Sequence, residues 1–193
     1  MRRRTLFGLT LATTLLASGC AVGNDAVNQS AGGERGYVPT GTGKQQWAIG
    51  QRVAAPEITG TTLTGASFAL SALRGKVVVI NFWGQWCAPC RAESADLQQA
   101  YLATKAKGVE FVGVNIRDTQ DRALAFERTN GITYPSLFDP EGRIGVKFRK
   151  TPPTTIPSTI VLDRSGRVAA LFRDAVLATD LEPVVLSLAG EKP

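Results

Sequence analysis

The sequence predicts an α/β fold in three layers, with a mixed central sheet and helices on both of its faces. Residues 76–82 and 109–115 are nearly continuous runs of β-branched and apolar side chains, which is typical of strands covered on both faces. The segment between them, residues 90–107, has the length of a helix, and this order favours parallel pairing of the two strands. Two more strands, at 158–162 and 167–172, are joined by a glycine-containing turn, as in an antiparallel hairpin. These patterns predict a sheet of five or six strands.

Shorter patterns predict the surrounding elements. Two short strands around Thr64 and Gly65 indicate an N-terminal β-hairpin, and Gly131 is the expected end of a helix in a central helix–strand insertion. In chain order, the remaining predicted elements are hairpin strands at 58–63 and 67–70, a single helical turn at 71–75, a helix at 119–130, a strand at 136–138, a short helix or turn at 141–148, and a closing helix at 178–188. The prediction is therefore a β-hairpin, a βαβ unit, the insertion and a ββα ending.

Residues 1–19 have the pattern of a secretory signal peptide. Three arginines follow the first methionine, and the apolar run at 6–16 is too short to span a bilayer as a helix. Residues 16–20, Leu-Ala-Ser-Gly-Cys, resemble a bacterial lipoprotein lipobox, with Ala17 where that motif usually has leucine. The resemblance implies cleavage before Cys20, lipid on its thiol, and anchoring outside the cytoplasm on the bacterial cell membrane. The alternative is an ordinary signal peptide that leaves Cys20 as a free thiol.

Residues 20–46 are expected to form a flexible tether between the lipid and the domain. The stretch is rich in Gly, Asn, Ser, Gln and Thr, and it has few large apolar side chains and no periodicity. The ordered domain is therefore predicted at 47–193, and we expect it to be a monomer.

Composition excludes several classes of function. The formal charge is +6, and loss of the three N-terminal arginines would leave 19 basic against 16 acidic residues, or +3. This balance is too mild to indicate nucleic-acid binding, and no basic stripe with interleaved aromatic residues is present in the sequence. The sequence has no histidine and three cysteines, which excludes histidine-based triads, histidine zinc or haem sites and four-cysteine metal sites. No metal or cofactor is expected, and the cysteines point to redox chemistry.

The motif Cys87-Ala88-Pro89-Cys90 follows the first core strand and opens the predicted helix. Residues three apart on a helix are neighbours, so the two thiols can form a reversible disulfide. Unpaired N–H groups of the first turn favour the thiolate form of Cys87 and should lower its pKa. Pro89 suits a first turn because its missing N–H costs no hydrogen bond there. We therefore predict that Cys87 is the exposed, attacking thiol and Cys90 the buried, resolving thiol.

Residues 81–90, Asn-Phe-Trp-Gly-Gln-Trp-Cys-Ala-Pro-Cys, resemble the active-site segment of thioredoxin-like proteins, and most closely the TlpA/ResA group of membrane-tethered thiol-disulfide oxidoreductases. The resemblance covers roughly residues 53–188, and the long central insertion is similar to that of the group. It implies a thioredoxin-like fold and a cis-proline opposite the disulfide, for which Pro157 is the candidate. Trp86 lies next to the predicted nucleophile, so we predict that it contacts the substrate peptide, as we also predict for Ile156. The alternative for Trp86 is a role in packing alone.

Proton transfer is where the sequence departs from cytoplasmic thioredoxins. Asn81 stands where those proteins have a buried aspartate, and an amide cannot titrate. Glu93 lies on one predicted helical stripe with Cys90 and Leu97, where burial should raise the pKa of its carboxyl group. The resemblance to the ResA-like branch implies a role for this glutamate in titration of the thiols. The alternative is a Glu93 that extends to water and supports only the helix.

The predicted function is reduction of protein disulfides outside the cytoplasm, for example at the haem-attachment cysteines of apocytochrome c. Strong oxidants of this class have a histidine between their cysteines, which this sequence lacks. The expected partners are protein disulfides and a membrane-bound or secreted electron donor.

Two alternatives differ in the chemistry of the cysteines. A peroxiredoxin-like peroxidase needs threonine three residues before its nucleophilic cysteine, and here Gly84 holds that position. A thioredoxin-like binding lipoprotein without enzymatic activity would not need both Cys87 and Cys90.

Overall fold

The computed structural model describes residues 43–192. The predicted signal peptide, Cys20 and most of the predicted tether lie outside the described residues. The strands are β1 Lys44–Gln46, β2 Val53–Ala54, β3 Thr59–Thr61, β4 Ser67–Ala69, β5 Val77–Trp83, β6 Val109–Ile116, β7 Ser136–Asp139, β8 Ser158–Leu162 and β9 Arg167–Phe172. The α-helices are α1 Ala88–Thr104, α2 Gln120–Asn130, α3 Arg143–Lys147 and α4 Ala178–Ala189. Among these helices, none has the length and apolar character needed to cross a membrane.

Strand β5 lies at the centre of the sheet. All seven of its residues are buried, which explains its unbroken apolar run. It pairs in parallel with β6 and antiparallel with β8, so the predicted mixed sheet and the βαβ unit around α1 are confirmed. The order of strands is β1-β9-β8-β5-β6-β7, and β2 also pairs with β9.

Successive residues of β5 contribute to two different cores, because side chains alternate between the faces of a strand. Val79 packs with Leu97 of α1 and Leu181 of α4 on one face. Ile80 packs with Phe148 on the opposite face, where α3 and the N-terminal hairpin lie. The predicted three-layer arrangement, with helices on both faces, is thus confirmed.

Most predicted elements are present with small shifts of their ends. The hairpin forms by pairing of β3 with β4, and α2 ends at Gly131, whose φ of +63° suits a residue without a side chain. Helix α1 begins earlier than predicted, at Ala88, and its last predicted turn is a separate 3₁₀ helix at Lys105–Lys107.

The predicted start of the domain at residue 47 is wrong by at least three residues. Lys44–Gln46 forms β1, which pairs with residues Ala170–Phe172 of β9, so these residues are not part of a free tether. The sheet therefore has seven strands among the described residues instead of five or six. The short β1 and β2 were not predicted because neither has an apolar pattern; each is held by hydrogen bonds along the outer edge of β9, which would otherwise be open.

Candidate active site

Cys87 and Cys90 form a disulfide where β5 ends and α1 begins. Their Cα atoms are 5.3 Å apart, an ordinary separation for a disulfide. Cys87 occupies the N-cap of α1, and the backbone N–H of Cys90 donates a hydrogen bond to its sulfur at 3.2 Å. The same donor and the helix dipole would stabilise a thiolate on Cys87 after reduction. The helix start therefore distinguishes the two sulfurs chemically.

Cys87 is not the exposed residue that the sequence predicted. The exposed fractions of Cys87 and Cys90 are 5% and 3%, so both are buried in the disulfide form. Both cysteines pack in a small apolar cluster with Leu63 and Ile156, and these neighbours come from segments distant in sequence. The two sulfurs differ in their positions at the start of α1 and in the hydrogen bond that the Cys87 sulfur accepts.

Asp118 fixes the loop that carries the cysteines, and sequence reasoning missed it. The N–H of Gln85 donates to its carboxylate at 2.9 Å, and the Asn115 side chain donates to the same oxygen at 3.2 Å. The available signal was topological: Asp118 follows β6, which is parallel to β5, so both strands end at the same edge of the sheet. Gly84 in this loop leaves room for the Trp86 ring, since a Cβ there would lie 2.7 Å from the indole nitrogen.

The predicted substrate-contacting residues lie beside the disulfide. The Ile156–Pro157 peptide bond is cis, as expected, and Pro157 immediately precedes β8, which starts next to the end of β5. Ile156 packs on the cluster that contains both cysteines. Trp86 is 45% exposed, and its indole N–H donates to the carbonyl of Ile116 at 3.4 Å. An apolar surface thus borders Cys87 without covering it from all sides.

A cleft of about 290 Å³ continues this surface away from the disulfide. Ile116 and Ile156 line the end that belongs to the active site, and Val146 and Pro153 line the far side. Arg117 and Glu141 contribute one charge of each sign. The cleft is therefore lined by both apolar and polar residues.

Glu93 lies beneath the disulfide and is only 2% exposed. The side-chain amide of Asn81 donates to one carboxylate oxygen at 2.8 Å, and the N–H of Val176 donates to the other at 2.9 Å. Burial raises the pKa of Glu93 to about 7, although these two hydrogen bonds partly oppose the rise. The alternative of a solvent-exposed Glu93 is therefore wrong. Asn81, which stands where cytoplasmic thioredoxins have a titrating aspartate, holds the Glu93 carboxylate in place through this hydrogen bond.

Within residues 43–192, no group of three or more Cys, Asp or Glu side chains is close enough to hold a metal ion. The chemistry that this site can perform with its own residues is thiol–disulfide exchange, with a buried carboxyl group that titrates near neutral pH.

The chain matches the AhpC/TSA family over residues 51–171, which is more than half of its length. Among curated proteins, the thiol-disulfide oxidoreductase ResA of Geobacillus kaustophilus is 31% identical over 141 residues. That match covers 73% of this chain and 78% of the relative.

Solved structures give a similar result. A secreted thiol-disulfide isomerase from Corynebacterium glutamicum matches with a TM-score of 0.75 and 38% identity, over 80% of this chain and 96% of that one. A DsbF homologue from Corynebacterium diphtheriae matches with a TM-score of 0.72 and 41% identity, over 79% and 97% of the two chains. With the disulfide at the start of α1, these similarities establish that the chain belongs to the AhpC/TSA family, as a thioredoxin-like thiol-disulfide oxidoreductase related to ResA.

Proposed function

We propose that this protein is a lipid-anchored reductant of protein disulfides outside the cytoplasm, with substrates such as the haem-attachment cysteines of apocytochrome c. The observation that carries the proposal is the asymmetric environment of the disulfide. Cys87 accepts a helix N-terminal hydrogen bond, and Glu93, three residues after Cys90, titrates near neutral pH. One sulfur is thus prepared as a nucleophile, and the other has a proton acceptor close by.

The reaction starts from the reduced dithiol. The Cys87 thiolate attacks one sulfur of the substrate disulfide, which forms a mixed disulfide and releases the other substrate sulfur as a thiolate that takes a proton from water. Cys90 then loses its proton and attacks the Cys87 sulfur. This step releases the second substrate thiolate, which is also protonated, and leaves the Cys87–Cys90 disulfide. The substrate thus gains two electrons from the dithiol and two protons from solvent, and an external dithiol donor must restore the two electrons to the Cys87–Cys90 pair.

Glu93 is proposed to accept the Cys90 proton. Both groups lie on the buried side of α1, one helical turn apart. A carboxyl group with a pKa of about 7 is part ionised at neutral pH, so it can take up and return a proton during each cycle.

Trp86, Ile156 and Pro157 are proposed to receive the substrate chain. Trp86 directly precedes Cys87, Ile156 packs on the cluster of the two cysteines and lines the cleft, and Pro157 follows Ile156 through a cis peptide bond. The exposed Trp86 ring offers an apolar surface for a peptide, while its indole N–H is already bonded within the protein.

The location is proposed from the N-terminal sequence and is supported by similarity to a secreted protein of Corynebacterium glutamicum. Lipid on Cys20 would hold the domain at the membrane through the segment that precedes β1. It would also leave Cys87 and Cys90 as the remaining thiols, since the sequence contains three cysteines.

Insulin-disulfide reduction with dithiothreitol tests the enzymatic role. We expect turnover by the wild type and none above background by Cys87→Ala. Equal rates for the two proteins would contradict the proposal and favour the binding alternative. A peroxidase would instead consume hydrogen peroxide, which we do not expect because Gly84 replaces the required threonine.

The direction of electron flow is tested by the reduction potential of the Cys87–Cys90 pair. We expect a value closer to the roughly −270 mV of thioredoxin than to the roughly −120 mV of DsbA, because no histidine lies between the cysteines. A potential near that of DsbA would show that the protein is an oxidant.

A further inference from the structure

A second buried carboxyl group faces the disulfide from the central insertion. Glu127 on α2 and Cys90 on α1 both line a cavity between these helices and the sheet. The cavity has a volume of about 10 Å³, which is close to the room that one water molecule needs. Asn81, Tyr134 and Ser136, which carry polar side chains, also line it. A buried water usually makes two to four hydrogen bonds to such groups.

Glu127 has an unused acceptor at this position. Its Oε1 is buried and has no hydrogen-bond partner within residues 43–192. A buried acceptor without a partner is costly, and in native structures it usually bonds to an ordered water or marks a functional group. Burial raises the pKa of the Glu127 carboxyl group, and the neighbouring Ser136 side chain partly opposes the rise.

The two glutamates near Cys90 differ in their access to solvent. Glu93 is 2% exposed, and both of its oxygens already accept N–H hydrogen bonds. Glu127 is only half-buried as a residue, although its Oε1 atom is buried. A proton that leaves Cys90 must eventually reach solvent, and Glu127 is the less buried of the two glutamates.

We propose that Glu127 is a positioning residue for the resolving step. Its carboxylate binds a water molecule next to Cys90, and the thiol proton passes through this water to Glu127 and then to solvent. In this step the Cys90 S–H bond breaks, the water accepts that proton and gives one of its own to the Glu127 carboxylate, and Glu127 releases it to bulk water. The Cys90 thiolate then attacks the Cys87 sulfur of the mixed disulfide. Glu93, the acceptor in the proposed function, offers a second and slower path for this proton, because it is buried and both of its oxygens already accept hydrogen bonds. This inference rests on the resolving role proposed for Cys90.

The titratable groups that face the cavity are Cys90 of α1, Glu127 of α2 and Tyr134 of the segment before β7. Glu93 acts on the same region, since its charge and that of Glu127 both help to raise the pKa of Tyr134, after the larger effect of burial. No lysine or arginine is among the described residues that line the cavity. The thiol proton therefore has carboxylates as its nearby acceptors.

The two steps can be separated with the aromatic disulfide DTNB, which releases one coloured thiolate at each step. The reduced protein releases the first thiolate when Cys87 attacks and the second when Cys90 resolves the mixed disulfide. We expect Glu127→Gln to slow the second phase by about tenfold near neutral pH and to leave the first phase unchanged. This effect is smaller than the roughly 10²–10⁴-fold of a directly bonded general base because a water carries the proton. The deficit should shrink at high pH, where hydroxide removes the proton.

Two variants serve as controls. Glu127→Asp keeps the carboxylate and should restore part of the rate of the second phase. Asp121→Asn removes an exposed carboxylate from the first turn of the same helix and should change neither phase. An unchanged second phase in Glu127→Gln would overturn the inference, and so would equal slowing of both phases, which indicates structural damage. If the wild type releases a single thiolate, the resolving role of Cys90 fails, and the proposed function fails with it.

Discussion

The two sulfurs of the disulfide have equal burial but different surroundings. Cys87 is the N-cap of α1, accepts the N–H of Cys90 and directly follows the exposed Trp86. Ile156, which packs on the cluster of the two cysteines, also lines a cleft on this side. Cys90 lies one turn into α1, with Glu93 on its own helix and Glu127 across a small cavity. The Cys87 side borders an apolar surface that continues into a cleft, whereas the Cys90 side faces a small cavity and has two carboxyl groups nearby.

This difference separates two tasks that one dithiol must perform. A substrate has to reach one sulfur, which needs space and an apolar surface. The other sulfur must lose a proton after the mixed disulfide has formed, which needs a proton acceptor close to it. The three predictions that follow test this division, from the largest expected effect to the smallest.

The largest effect is expected from Cys90→Ser, because it removes the resolving sulfur and leaves the attacking one. Turnover should fall to background, and a mixed disulfide between Cys87 and the substrate should accumulate. Mass spectrometry before and after treatment with dithiothreitol would detect the trapped species and identify substrates. Cys87→Ala is the matched control and should trap nothing. Accumulation in the control but not in Cys90→Ser would reverse the roles of the two cysteines.

An intermediate effect is expected from Glu93→Gln on the pH dependence of stability. The folded-state pKa of about 7 lies above the ordinary value of 4.5, so between these pH values the folded protein retains a proton that the unfolded chain loses. Glu93 therefore supports folding fully below pH 4.5, and this contribution is lost as the pH rises through 7. Denaturant unfolding from pH 4 to 8 should show a decline in the free energy of unfolding for the wild type that is smaller in Glu93→Gln.

The matched control for this measurement is Glu57→Gln, which changes an exposed carboxyl group and should keep the wild-type pH dependence. Glu93→Gln should also shift the pKa values of the thiols, measured by the pH dependence of alkylation of the reduced protein. If both the thiol titration and the stability profile match the wild type, Glu93 is not the titrating group beneath the disulfide.

The smallest effect is expected from Trp86→Ala on the substrate side. The exposed ring supplies contact area but no chemistry, so the KM for a protein disulfide should rise by about three- to tenfold, while kcat changes less. Leu102→Ala, which removes an exposed apolar side chain from the far part of α1, should leave both constants unchanged. A fall in kcat with an unchanged KM would show that Trp86 acts on the reaction and not on binding.

Local patterns predicted much of the fold and part of the site. Short segments of sequence were enough to predict three features. These are the unbroken apolar run of β5, the boundaries of α2 at Thr119 and Gly131, and the cysteine pair at a helix start. The spacing of Cys90 and Glu93 also placed both on one buried helical face, because helix geometry is fixed by the backbone alone.

Other features depend on segments that are far apart in the chain. The pairing of β1 with β9 joins residues 44–46 to residues 170–172, and no pattern in either segment specifies the other. Asp118 can bond to the N–H of Gln85 because the parallel strands β5 and β6 end at the same edge of the sheet. Glu127 looked like any polar helical residue until packing placed it against the same cavity as Cys90.

The sequence by itself determined that a dithiol opens a helix after a buried strand and that a glutamate follows one turn later, since both depend on spacing along one segment. Only the tertiary structure decided how each sulfur is surrounded. Burial, the two hydrogen bonds to Glu93, the apolar neighbours of Cys87 and the cavity shared with Glu127 arise from long-range packing. The physical reason is that electrostatic and solvation effects depend on distances through space, whereas sequence patterns record distances along the chain.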